Sequence, residues 1–296
     1  MANDIAVSTI AAQKALESLK PITAPLTAFS TDFSDEARAI GETVSVNVFG
    51  APTATNATLG GAVDYATEAS GVISHVNVPL TSHVRTSHAF NLRDLALLSN
   101  EGMAEAQVDL ITSVIEKVQT IAITALNTSA ATLNVTEANA IAYADLTALR
   151  LKVASLKLAM TKTSLIVSPE AMSLMLKLDE IGKSFSAPIA NAAVADGNVA
   201  RVLGFNVFET QAIPETSFAI AAHKTALALA ARSTQESGAE FEQVLTLPGG
   251  VPVTVKLIAD PIHAQKVLVA ETVFGATAVK ASSTEKRAVA LLKAKA

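Results

Sequence analysis

The stretch Ser99–Asn127, SNEGMAEAQVDLITSVIEKVQTIAITALN, constrains the chain more than any other. Apolar side chains recur at Met103, Ala106, Leu110, Val114, Val118, Ile121 and Ala125, in steps of three and four that line one side of a helix. Glu101, Glu105, Asp109, Ser113, Glu116 and Thr120 lie off that stripe. No Gly or Pro follows Gly102 in the stretch. A helix of about 25 residues is a rod of roughly 38 Å, about twice the usual globular length. A rod that is apolar along one side needs something long to lie against. The rest of the chain is expected to be built along it.

Composition narrows the classes. Of 296 residues, 50% are hydrophobic and only 17% are charged, against about 25% in ordinary soluble domains. There is no apolar run long enough to cross a membrane; His223 and Lys224 interrupt the segment Phe218–Ala231. Little charge without a membrane segment fits either an Ala-rich core or, the reading preferred, surface covered by other copies of the chain. The absence of Cys excludes disulfides, thiol catalysis and thiolate metal sites. The start, Met1 to Ile5, has no basic region or long apolar core of a signal peptide. A net charge of −5, two Tyr and no Trp do not make the basic, aromatic face of a nucleic-acid reader.

Chemistry-bearing motifs are missing. The chain contains no H-E-x-x-H, G-x-S-x-G, G-x-G-x-x-G or P-loop pattern. His75, His83 and His88 fall on one extended segment, where His83 and His88 point to opposite faces; His223 and His263 are isolated. Glu101, Glu105 and Asp109 make an acidic stripe on the rod with no His or aromatic beside it, the pattern of a solvated or subunit-facing surface. The sequence therefore offers no catalytic residue, no cofactor site and no metal site, and the expectation is a protein that is not an enzyme.

Taken in order, residues 1 to 40 read as an arm: a weak amphipathic helix through Ile5, Ala11, Leu16 and Leu19, then an extended path forced by Pro21 and Pro25. Val44–Val48 alternates as a half-buried strand, and a second run follows from Val76 to Leu80. The polar stretch Gly50–Gly71 between them makes a two-stranded arm with a loose tip, marginal alone and suited to docking on a neighbour. After the rod, Thr128–Ala144 is a looser span and Asp145–Met160 a helix with Asp145 at its N-cap. Thr163–Val167 is a short buried strand, followed by Ser168-Pro169-Glu170, a helix start with a capping Ser and Pro in the first position. Val199–Glu215 is a strand pair turning at Gly204. Further strands cover Phe218–Lys224, Thr225–Arg232, Val251–Ile258, Lys266–Val273 and Ala276–Lys280, the last two separated by Gly275. Lys286, Arg287, Lys293 and Lys295 make a basic tail, expected to be solvated.

Four segments together resemble the major capsid protein of tailed phages, the Hong Kong 97-type family: SLIVSPEAMSLMLKL (Ser164–Leu178), RVLGFNVFETQAIPE (Arg201–Glu215), FAIAAHKTALALAAR (Phe218–Arg232) and VLVAETVFGATAVKA (Val267–Ala281). Their order matches an arm, an extended loop, a spine helix, a central domain and returning strands. The resemblance implies an α+β chain with an N-terminal arm at 1–40 and an extended loop (E-loop) at 41–92. It implies a peripheral (P) domain from 93–144 and 251–285 with its spine helix at 99–127, an axial (A) domain at 145–250, and a basic C-terminal tail at 286–296. Met103, Leu110, Val114, Val118 and Ile121 would be the packing face of the spine helix, Gly204 the axial-domain turn, and Arg85 an inter-subunit contact of the extended loop.

The same resemblance implies a coat protein that self-assembles as hexamers and pentamers into an icosahedral phage head around double-stranded DNA. It would be built in the host bacterial cytoplasm and located in the virion. Implied partners are other copies, a portal, a separate scaffolding protein, a decoration protein and non-specific DNA contacts. Val44–Phe90 contains no Lys, so the isopeptide cross-link that some members make from a loop Lys is chemically unavailable. Two alternatives keep the absence of chemistry but change the role: an encapsulin-type compartment shell, and a secreted structural surface protein.

Overall fold

The computed structural model of the chain describes residues 24–32, 42–49, 73–91, 100–137, 140–178, 201–234, 239–247, 250–279 and 286–294. Most of the expected arm, the loop tip Gly50–Gly71 and the side chain of Glu101 lie outside them.

The rod is a helix, α1, spanning Asn100–Ser129. It lies against two sheets. The first is organised by one long strand, β13 (Gln265–Ala278). β4 (Ser82–Asn91) runs antiparallel along one of its edges, paired from Asn91 opposite Gln265 to Ser82 opposite Phe274. The other edge is shared end to end by β12 (Pro252–Asp260) and β10 (Leu227–Arg232). At that seam the Thr272 hydroxyl donates to the Pro252 carbonyl at 2.8 Å, closing the gap between the two strands. β11 (Phe241–Thr246) extends the sheet beyond β12, and β1 (Ser30–Asp32) pairs parallel with β10. Gly275 thus sits inside a continuous strand and does not divide two, because an extended Gly interrupts nothing when both neighbours stay paired.

The second sheet has the order β5-β14-β9-β6-β8-β7, from Ala131–Asn134, Ala288–Leu292, Ser217–His223, Thr163–Val167, Phe205–Glu209 and Arg201–Val202. Both of its faces are covered. Ile166, Ile220, Ala288 and Ala290 turn toward the core under α1. Leu165, Val167, Ala221, Val289 and Leu291 turn toward helices α2 (Tyr143–Ser155) and α3 (Pro169–Leu176). Strand residues alternate between faces, so a sheet buried on both sides reads as an unbroken apolar run; all five residues of β6 are buried.

Three further expectations change. The tail is not solvated over 288–292: β14 lies between β5 and β9 and is almost wholly buried, because Ala288-Val289-Ala290-Leu291 supplies apolar groups to both faces. Sheet membership does not follow the expected 145–250 unit: β10 and β11 belong to the first sheet, and the second takes in β5 and β14 from outside that span. Asp145 is not the N-cap of α2, which begins two residues earlier; its carboxylate reaches back to accept from the Ala142 N–H (2.9 Å) and the Thr136 hydroxyl (2.6 Å). Ser168 does cap α3, accepting from the Ala171 N–H at 3.1 Å with Pro169 in the first turn.

Candidate functional site

The surfaces available for work are built on α1. Leu110, Val114 and Val118 are fully packed in the core between the helix and the sheets; Met103 and Ile121 are half-buried at its margin. The buried face is wider than the 3.6-residue stripe, since Ile111, Ile115, Ala122, Ile123 and Leu126 are equally covered. The helix has a sheet on each flank, and a single stripe is the signature of only one. Val118→Ala is expected to cost about 2 kcal/mol and Ile121→Ala about 1 kcal/mol, the difference following from residual exposure; urea unfolding of the two variants measures it.

On the far side of the first sheet stands a two-stranded ribbon, β2 (Thr43–Phe49) and β3 (Ile73–Pro79), antiparallel from Thr43 opposite Pro79 to Phe49 opposite Ile73. Its base is seated. Val44, Val78 and Leu80 pack on Ala228, Ala230, Val273 and Val279. The Leu–Ala alternation of β10 explains the seat: Leu227 and Leu229 fill the core under α1, whereas Ala228 and Ala230 leave a shallow platform on the ribbon side. Gly275 is the register partner of Ala230 and carries this to the limit. A Cβ there would collide with the Pro79 carbonyl oxygen and meet Val78 Cγ1 at 3.0 Å.

Beside the seat lies a buried ionic cluster that the sequence did not signal. Lys256 Nζ is 2.6 Å from Glu271 Oε1, with side chains 3% and 2% exposed. The Glu271 carboxylate also accepts from the Thr234 hydroxyl (2.6 Å) and from His83 Nε2 (3.0 Å). Burial by itself would raise the Glu271 carboxyl; hydrogen bonds from Lys256 and Thr234, the Lys256 charge and the His83 contact outweigh it and hold the group below its ordinary range. The cluster ties β4, the strand leaving the ribbon, to β13 and β12. Arg85 stands opposite Glu271 on β4 and is exposed. The only trace in the sequence is Lys256 and Glu271 within the apolar stretches of their strands.

Gly204 makes the turn between β7 and β8 with φ of 93°, next to Leu203 at 49°. Two positive φ values are what a tight I′-type hairpin needs, and Gly takes the second without strain. Nothing lies within 4 Å of a Cβ placed at Gly204, so Gly204→Ala tests backbone strain alone. Its expected cost is about 1 kcal/mol, read by thermal unfolding.

Among the described residues, the remaining polar groups do not converge on one site. His75 and His88 are exposed on strands, and His263 bonds Asp260 in an exposed turn, at 2.7 Å, which lowers the Asp260 carboxyl from its ordinary value. Among the described residues, no group of three His, Asp or Glu could hold a metal ion. No helix among them is long and apolar enough to cross a membrane. An open cleft of about 450 Å³ lies where α1 passes the end of β8, lined by Glu116, Gln119, Thr120, Pro169, Glu209 and Thr210. Its floor is tied by the Thr210 hydroxyl donating to Gln119 Oε1 at 2.9 Å. The described residues offer a clamped ribbon, a long packed helix and a cleft bordered by two carboxylates.

No protein-family model matches the chain, and no curated protein matches its sequence. Solved structures do match. A chain from Mycobacterium phage Che8 is 14% identical, with TM-score 0.58 over 85% of this chain and 84% of that one. The capsid of Cyanophage P-SCSP1u is 12% identical, with TM-score 0.59 over 91% and 87%. The capsid of an empty GTA particle is 12% identical, with TM-score 0.55 over 93% and 97%. At so little identity the likeness is one of architecture: the chain has the Hong Kong 97-type fold of phage major capsid proteins.

Proposed function

We propose that the chain is a major capsid protein, assembling as hexamers and pentamers into an icosahedral shell around double-stranded DNA. The observation that carries this reading is the near-complete mutual coverage with capsid subunits, 93% of this chain and 97% of the other in the GTA case. The seated ribbon supports it. A two-stranded ribbon is marginal alone, and this one has its base seated on the sheet. In this reading the ribbon is the extended loop reaching a neighbour, α1 is the spine helix, the first sheet is the peripheral domain and the second is the axial domain. Arg85, exposed beside the ribbon, meets an adjoining subunit.

The shell acts mechanically and not by catalysis: many modest contacts, each strengthened by arms, sum through multivalency. A portal, a separate scaffolding protein, a decoration protein and the packaged DNA are its partners. The virion is its destination, reached by assembly in the host cytoplasm. Negative-stain electron microscopy of the purified protein, with and without co-expressed scaffold, tests the reading. Closed shells or capsomer rings are the expected result. A chain that stays monomeric in every assembly condition overturns it, and particles filled with protein cargo in place of DNA reassign it to a compartment shell.

A further inference from the structure

Charge is separated along the second sheet. β5, β14, β6 and β8 run one way and β9 and β7 against them. Where the four begin, Lys162, Lys286, Arg287 and Lys224 of the connecting segments lie at the same end as Arg201 of β7, and the described residues of those segments include no carboxylate. Lys286 donates to the Ala130 carbonyl just past the end of α1 (3.0 Å), where the helix dipole favours a cation. Arg287 donates to the Thr225 hydroxyl at 2.7 Å. His223 reports the resulting field: its imidazole is lowered by burial first and then by the charges of Arg287 and Lys162.

The opposite end, roughly 17 Å away along the five residues of β6, is acidic. Glu137, Glu170, Glu209 and Glu215 flank the strand ends there, and Glu116 of α1 faces Glu209 across the cleft. Among the described residues, the one cation following a strand at this end, Lys293 after β14, is bonded to Glu170.

We propose that the basic end of this sheet in one copy docks against the acidic cleft of the next, making the sheet a head-to-tail contact within a ring of copies. This rests on the shell reading above. The chain carries both halves of the complement on opposite ends of one rigid element, so every copy offers a donor face and an acceptor face. Such a heterologous contact closes into rings when the rotation permits, where an isologous pairing would stop at dimers. A surface for DNA would need the basic end alone and leaves the acidic cleft without a role.

The test uses the full chain. Lys162→Glu with Lys224→Glu reverses the basic end, and Glu116→Lys with Glu209→Lys reverses the cleft. All four positions are exposed, so native circular dichroism is expected. Each reversal places like charges face to face and should lower the yield of rings and shells at least about tenfold by mass photometry. The four changes in one chain should restore it. Mixing the two reversed chains should restore six-membered rings, in which they alternate, but not five-membered ones. If wild type assembles and both reversals assemble equally well, the contact is wrong. A basic-end reversal that assembles normally but packages less DNA also overturns it, in favour of a nucleic-acid surface. Should a reversed chain misfold, salt decides: wild-type ring yield should fall about tenfold between 0.05 and 0.5 M NaCl, and indifference to salt refutes the proposal. A wild type that never assembles instead overturns the shell reading itself.

Discussion

Replacing Gly275 with valine leaves both sheets folded and the ribbon unseated. The new Cβ meets the Pro79 carbonyl oxygen, which is backbone and already accepts from the Thr81 N–H at 3.0 Å, so no rotamer change relieves the contact. Overpacking of this kind costs about 1–3 kcal/mol if the ribbon stays. Lifting it instead exposes Val78 and Leu80, each worth about 1.5–3 kcal/mol of burial. The less costly of the two routes sets the loss, up to about 3 kcal/mol. Limited proteolysis should cut the variant within residues 43–79 at least about tenfold faster than wild type, and shell yield should collapse with it. Gly275→Ala moves in the same direction with a smaller effect. A valine variant with wild-type protease resistance would show that the ribbon is not held by this crossing.

Lys256→Met is the second large effect. It removes one member of a fully buried pair and leaves the Glu271 carboxylate to Thr234 and His83. Breaking such a pair costs about 3–5 kcal/mol, most of it the stranded charge. Replacing both partners, Lys256→Met with Glu271→Leu, should recover most of that loss, because the desolvation penalty disappears with the charges. The pH dependence has a definite sign. Glu271 is held below its ordinary value in the folded chain, so its contribution is complete above the unfolded value of about 4.3 and is lost as pH falls from there through the lower folded value. Urea midpoints measured from pH 7 down to 3 should drop over that window in wild type. In Lys256→Met the drop should shrink, since the main group favouring the carboxylate is gone. A single mutant as stable as the double mutant would contradict the burial of the pair.

Much of the layout was legible. The rod was readable because a helix packed along a core repeats its apolar residues every three to four positions. The ribbon was readable because Thr43–Phe49 and Ile73–Pro79 alternate and are joined by a polar stretch. Ser168-Pro169 marked a helix start through local hydrogen bonding alone. What escaped reading was everything that depends on a partner distant in the chain. β14 looked like a charged tail because Lys and Arg flank it, yet four small apolar residues suffice for a strand when two neighbours and both faces are already apolar. Gly275 read as a break because a Gly in a strand is ambiguous between a bend and a close approach. The Lys256–Glu271 pair joins residues on two strands whose register no local pattern reveals. The capsid resemblance identified the layout while leaving the exchange of strands between sheets unread.

The sequence by itself determined the long amphipathic helix, the ribbon with its polar tip, the tight turn at Gly204 and the absence of any motif for chemistry. Each follows from local periodicity, backbone preference or composition. Only the tertiary structure decided which strands share a sheet, that the C-terminal strand is core, where the ribbon crosses β13, and that cations and carboxylates gather at opposite ends of one sheet. Those features are set by contacts between residues distant in the chain, His83 and Glu271 among them at 188 positions apart, where the free energy of burial selects a pairing that no short window of sequence encodes.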